Sequence, residues 1–190
     1  IGPGGPLAFP PAWRMRQELC PAGCAACEKA CPSQAIRLEE EERRKTVEAG
    51  ALILATGWDP YPLSRLEGFA FAQSPRVVGN LEMERLLSPS GAAALEALGP
   101  RNVAFIQCVG SRHQDHLPYC SGVCCSASLK QARRLKALHP GLMVYVFYQD
   151  IRALGFEEDL YHEVAALPGV VFVRGLPAKA HLLEDGLIGI

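Results

Sequence analysis

From residue 102 onward the apolar positions follow two alternating rhythms. Residues 102–107, 142–148 and 170–174 are short runs rich in Val, Ile, Phe and Tyr, of strand length, while 121–138 and 157–166 between them carry helical periodicity. In the first of these helices Leu129, Ala132, Leu135 and Leu138 recur at three-residue steps, with Lys130, Gln131, Arg133, Arg134 and Lys136 filling a solvated face, and His139-Pro140-Gly141 stops it. Strand, helix, strand, helix, strand in that order predicts a parallel α/β layer.

The pattern upstream is less regular. Ala51-Leu-Ile-Leu-Ala, stopped at Thr56-Gly57, is a continuous apolar run and predicts a first core strand buried on both faces. Residues 36–38 and 45–48 flank the charged stretch 39–44 and predict a hairpin with a solvated tip. Two short helices are expected over 81–87 and 92–98, the second capped by Ser90. Gly2-Pro3-Gly4-Gly5-Pro6 and Pro10-Pro11 make residues 1–19 an irregular lead-in, and no internal repeat is visible.

Length and composition narrow the class. A chain of 190 residues that is 49% hydrophobic buries one core with room for a small appended module. A net charge of -1 excludes a global attraction to nucleic acid or to an anionic membrane surface. There is no apolar run of the roughly 20 residues a membrane span needs and no basic n-region of a secretion signal, so a cytoplasmic location is expected. The chain opens on Ile1 and ends on Gly-Leu-Ile-Gly-Ile, which reads as a piece of a longer polypeptide.

Cysteine changes the picture most. Eight cysteines fall into two sets of four, Cys20, Cys24, Cys27, Cys31 and Cys108, Cys120, Cys124, Cys125, and in a reducing compartment such spacing points to shared metal ligation rather than disulfides. The first set, Cys20-x3-Cys24-x2-Cys27-x3-Cys31-Pro32, departs from the bacterial ferredoxin run only in its first gap, by one residue. Gly23, Ala22, Ala25 and Ala26 let backbone N–H groups approach the sulfurs. A structural zinc site usually shows two C-x2-4-C knuckles a dozen or more residues apart, and this set is too compact for that.

The second set uses a different device. Cys108 lies just past a core strand, where an open α/β sheet presents its ligand crevice, and Cys120, Cys124 and Cys125 crowd the start of a helix whose unpaired N–H groups favour anionic sulfur. The turn reads Gln107-Cys-Val-Gly-Ser-Arg-His and lacks the G-x-G-x-x-G of a dinucleotide site, so sulfur stands where pyrophosphate would lie. A zinc site joined by His113 and His116, redox-active thiols and plain burial stay open beside cluster ligation. The five histidines otherwise read as solvated polar residues, and no nucleophile with a base or proton-transfer pair is evident, so no catalytic side chain is assigned.

Cys24-Ala-Ala-Cys-Glu-Lys-Ala-Cys-Pro-Ser-Gln-Ala-Ile, Gly50-Ala-Leu-Ile-Leu-Ala-Thr-Gly-Trp-Asp-Pro-Tyr, Val103-Ala-Phe-Ile-Gln-Cys-Val-Gly-Ser-Arg, Tyr119-Cys-Ser-Gly-Val-Cys-Cys and Val144-Tyr-Val-Phe-Tyr-Gln-Asp-Ile-Arg-Ala resemble, in order and spacing, the iron-sulfur flavoprotein subunit (HdrA) of heterodisulfide reductase. The resemblance covers roughly residues 20–175. It implies a thioredoxin-reductase-like nucleotide-binding flavoprotein fold with a small ferredoxin-like module, here residues 1–35 beside an α/β domain over 36–190 with a cluster loop inserted at 108–125. It further implies an oxidoreductase subunit that passes electrons to partner subunits, two [4Fe-4S] clusters on the two cysteine sets, and FAD lying against Ala55, Thr56 and Gly57 and shared with residues outside this chain. The Cys20–Cys24 gap is shorter than that family usually shows, and its Gly-rich FAD fingerprint is absent here. Two other classes compete: a zinc-stabilised interaction module resting on the Cys and His residues of 108–125, and a pyridine-nucleotide-dependent flavin disulfide reductase using vicinal thiols.

Overall fold

The computed structural model describes residues 2–3, 13–38, 44–55 and 57–190. The chain divides into two compact units, Ile1–Trp58 and Asp59–Ile190. In the first, two-residue strands β1 (Gly2–Pro3) and β2 (Trp13–Arg14) pair antiparallel, a 3-10 turn spans Gln17–Leu19, and α1 (Ala26–Ala30) is a single short helix among the cysteines.

The second unit holds the expected parallel layer. It begins with the short helices α2 (Asn80–Leu86) and α3 (Ala92–Leu98). The strands β3 (Asn102–Ile106), β4 (Met143–Tyr148) and β5 (Val170–Arg174) then form a parallel sheet in that order, linked through α4 (Cys124–Leu138) and α5 (Glu157–Ala165). Val103 lies beside Val144 and Val144 beside Val170, so Phe105, Val146 and Phe172 share one face of the pleat. On that face Phe105, Val144 and Val146 meet Leu129, Ala132 and Leu135 of α4 and Val164 of α5 in one buried cluster, which Met83, Leu86 and Leu95 extend. Glu157, Glu158 and Asp159 in the first turn of α5 complement the positive end of that helix. A hairpin of β6 (His181–Leu182) and β7 (Ile188–Gly189) follows. β3 is one of the two edge strands, and an open groove of about 830 Å³ runs along it, lined by Asn102 to Ile106 and by Leu63, Leu66, Met83 and Phe147 among others.

Several expectations fail for physical reasons. Residues 51–55 carry no strand, and Leu52, Ile53 and Leu54 are 81, 89 and 79% exposed. A continuous apolar run becomes a central strand only where neighbours take its backbone groups on both edges, and among the described residues none pairs with it. The expected hairpin fails similarly: its flanks at 36–38 and 45–48 carry no strand, and residues 39–43 of its tip lie outside the described residues.

Ser90 does not cap α3. The capping position is Gly91, where a Cβ would stand 1.9 Å from the Arg85 carbonyl oxygen, and the Ser90 hydroxyl instead lies 3.0 Å from that of Ser88. On α4 Gln131 and Lys136, expected on the solvated face, are buried. Lys136 donates to the carbonyls of Pro140 and Leu142, both at 2.6 Å, and so ties the turn that ends the helix. Gln131 accepts from the Asn80 amide at 3.2 Å and donates to Glu84 at 2.8 Å, forming a polar seam between α2 and α4.

That seam carries a pH dependence. Burial pushes the Glu84 carboxyl up, but hydrogen bonds from Lys130 and Gln131 and the Lys130 charge outweigh it and hold the group below its ordinary value. A depressed folded pKa contributes stability that is present above the unfolded value of about 4.3 and is lost as pH falls through the folded value. We expect the urea midpoint to fall more steeply between about pH 5 and about pH 3 in the natural chain than in Glu84→Gln; equal slopes would remove Glu84 from the account. Among the described residues no helix is long and apolar enough to cross a membrane.

Candidate metal centre

The chain leaves β3 through Gln107, whose N–H donates to the Phe147 carbonyl at 2.9 Å, and turns sharply at Cys108, a non-glycine residue at φ +60°. Gly110 follows at φ +78°, and a Cβ there would stand 2.8 Å from the Tyr61 ring, so only glycine lets this loop seat against Tyr61. The loop then folds back on itself. Leu117 N–H donates to Gly110, His113 N–H to Leu117 and Arg112 N–H to Tyr119, at 3.0–3.2 Å, while the Ser111 hydroxyl donates to Tyr119 at 2.7 Å. The Tyr61 hydroxyl pairs with His116 Nδ1 at 2.7 Å, so His116 serves the wall of the loop.

This closure returns Cys120 towards Cys108, and α4 starts at Cys124, three residues later than the sequence pattern suggests. In the intervening turn the Cys124 N–H donates to the Ser121 hydroxyl at 3.3 Å and the Gly122 N–H to the Cys120 sulfur at 3.3 Å. The Gly122 N–H is therefore aimed at sulfur, as expected where anionic thiolates gather.

The electrostatics tie the second set together. Burial pushes the Cys108 thiol up, Arg112 opposes this, and the charges of Cys124 and Cys120 add to the rise. Cys124 is pulled down to about 6, chiefly because Cys125 donates a hydrogen bond to it and, against the cost of burial, because the Ser121 hydroxyl and the Cys108 backbone N–H also serve it. Cys125 moves the opposite way, raised by its bond to Cys124, by burial and by the charges of Cys124 and Cys108. Each of the four sulfurs thus lies within electrostatic reach of another member of the set.

The first set is looser. Cys20 and Cys24 are exposed, while Cys27 on α1 and Cys31 at its end are half-buried. Cys31 sits 3.4 Å from the Ser33 hydroxyl and accepts from the Ala35 N–H at 3.4 Å, and the Ser33 and Ala35 hydrogen bonds lower its pKa. All eight cysteines are free thiols, and among the described residues no three Cys, His, Asp or Glu side chains stand as a ready-made metal-binding group. Ala55 and Gly57 are exposed, among the described residues no atom beyond its chain neighbours lies within 4 Å of where a Gly57 Cβ would be, and Thr56 lies outside the described residues.

Two residues that sequence reasoning passes over stand at the second set. Arg112, at φ +57°, points a guanidinium nitrogen to 3.9 Å from the Cys108 sulfur and pairs with Asp150 across the sheet end. Asp150 follows β4, close to where a dinucleotide-binding unit places the carboxylate that holds a ribose; here Arg112 takes it. No motif marks this pair, because it joins positions 38 apart in the chain.

No family model matches the chain. It is 38% identical over 188 residues to the A subunit of the ferredoxin/F(420)H(2)-dependent CoB-CoM heterodisulfide reductase of Methanosarcina acetivorans, covering 95% of this chain and 24% of that protein. The A subunit of the ferredoxin:CoB-CoM heterodisulfide reductase of Methanosarcina mazei is 37% identical with the same coverage. The iron-sulfur A subunit of the CoB–CoM heterodisulfide reductase of Methanocaldococcus jannaschii is 36% identical over 186 residues, 94% of this chain and 28% of that protein. The chain spans about a quarter of the length of the curated relatives it matches. An iron-sulfur group suits the second set, whose four thiols come with backbone, hydroxyl and guanidinium donors directed at sulfur.

Proposed function

We propose that this chain, which over the segment it spans belongs to the HdrA family of heterodisulfide reductase subunits, is an electron-transfer segment of a multi-subunit iron-sulfur flavoprotein oxidoreductase. The observation that carries the reading is the gathering of Cys108, Cys120, Cys124 and Cys125 at a strand end and a helix start, with N–H donors turned towards the sulfurs. Those four would hold one [4Fe-4S] cluster, and Cys20, Cys24, Cys27 and Cys31 a second in a ferredoxin-like segment over residues 1–35. Ala55, Thr56 and Gly57 would lie against an FAD shared with residues outside this chain, in a thioredoxin-reductase-like domain over 36–190.

When bound, such clusters supply one-electron transfer. The chain's own part is to bind and to tune. Ser121 and the N–H groups of Cys108 and Gly122 offset the negative charge of the thiolates, and the half-burial of Cys108 and burial of Cys125 keep water from the sulfurs. The Gly110 turn against Tyr61 and the backbone bonds of the loop would fix the chain between Cys108 and Cys120. Electrons would pass on to other electron-transfer subunits of the complex.

The test is an anaerobic preparation assayed for iron, acid-labile sulfide, zinc and flavin. Iron and sulfide in equal amounts support the reading. Zinc without iron or sulfide overturns it and leaves a metal-stabilised interaction module in its place.

A further inference from the structure

We infer that Arg112, held in place by Asp150, sets the reduction potential of the second centre by presenting a fixed positive charge to the Cys108 sulfur. The inference rests on the assignment of that centre to Cys108, Cys120, Cys124 and Cys125. Two non-glycine residues four apart, Cys108 and Arg112, both adopt the left-handed backbone region, at φ +60° and +57°. That conformation crowds Cβ against the backbone and is costly for any residue but glycine, so the loop accepts strain at both ends of the contact it makes. The result is a guanidinium that turns back to 3.9 Å from the Cys108 sulfur and forward to the Asp150 carboxylate.

The surroundings favour a positioning role for Asp150. Arg112 is 24% exposed and Asp150 50%, so the cation is the more enclosed partner. Asp150 is also approached by Arg152, at 3.7 Å, and feels the charge of Arg174, so three arginines converge on one carboxylate and the local balance is positive. The same loop after β4 serves the sulfurs directly, through the Arg152 backbone N–H that stabilises the Cys125 thiolate form. Simple closure of the 108–120 loop does not need the arginine side chain, because its backbone bonds and the Ser111 hydroxyl already accomplish it.

An electron that arrives at this centre leaves the sulfur cage one charge more negative, and a nearby fixed cation favours that state. Lysine cannot reproduce the effect fully, since a guanidinium offers a planar fork that can address a sulfur and a carboxylate together.

The experiment is a dithionite redox titration of the anaerobic full-length subunit, followed by electron paramagnetic resonance, with iron and sulfide measured on the same samples. The signal of the second centre is the one lost in Cys124→Ser. In Arg112→Gln the ratio of reduced to oxidised centre at a fixed potential falls on the order of tenfold, in Arg112→Lys by less, and the change that Arg112→Gln causes is smaller when it is made in an Asp150→Asn background, where the guanidinium has lost its anchor. An unchanged ratio in Arg112→Gln with full iron and sulfide overturns the inference. So does an unchanged ratio in Arg112→Lys, which keeps every sulfur and a positive charge and decides the matter should Arg112→Gln come out without iron; an undiminished effect of Arg112→Gln in the Asp150→Asn background overturns the positioning role of Asp150. Failure of the underlying assignment is distinct, since Cys124→Ser would then leave iron, sulfide and every signal intact.

Discussion

Replacing Cys124 by serine removes about half of the iron and acid-labile sulfide from the anaerobically prepared chain, the share of one cluster in two. Cys124 is the most engaged sulfur of the second set: it receives hydrogen bonds from Cys125, from the Ser121 hydroxyl and from the Cys108 backbone N–H, and its pKa lies at about 6. A hydroxyl in its place is not ionised at neutral pH and is a poor ligand for iron among thiolates. Cys27→Ser is expected to remove the other half, because Cys27 lies on α1 in the separate unit Ile1–Trp58. Iron content unaltered by Cys124→Ser would sink the second centre.

The regular part of the fold is legible because its signal is redundant. β3, α4, β4, α5 and β5 each combine the right period with the right length and a Gly or Pro at the boundary, and the structure places all five within a few residues of the pattern. Residues 51–55 pass the same composition criterion yet form no strand, because a pattern describes what a run is suited to and not whether neighbours exist to pair with it. Gln131 and Lys136 defeat the pattern for the converse reason. A polar residue on a helix reads as solvated until a partner is found, and theirs lie in α2 and in the turn after α4.

The second cysteine set is legible in its placement but not in its mechanism of closure. A cysteine past a strand and three more at a helix start predict proximity from the geometry of a βα unit alone. What brings Cys120 to Cys108 is a loop whose turns depend on Gly110 against Tyr61 and on backbone bonds to Leu117 and Tyr119, and no periodicity encodes those contacts. The first set shows the opposite case. Its spacing is the stronger motif, yet Cys20 and Cys24 stand exposed, as suits a short loop with little apolar surface of its own to bury.

Leu135→Ala lowers the stability of the chain by about 2–5 kcal/mol, a large share of the roughly 5–15 kcal/mol typical of a whole domain. Leu135 is fully buried beside Leu129 and Ala132, against Val144 and Val146, which are themselves fully buried. Strands with β-branched side chains cannot move far enough to fill the space, so most of the cavity persists and adds to the lost transfer energy. The measurement is a urea titration, in which the midpoint falls while the slope stays constant. Leu138→Ala is the control: that side chain is 47% exposed and ends the same apolar stripe, so its loss changes the midpoint little. Leu135 lies about 16 Å along α4 from Cys124, and the iron content of the Leu135→Ala chain, prepared well below its unfolding midpoint, stays at the natural level. A midpoint that does not move would mean that α4 is not held to the sheet by this stripe. Loss of iron alongside stability would mean that the centre depends on the rigidity of the whole helix and not only on its first turn.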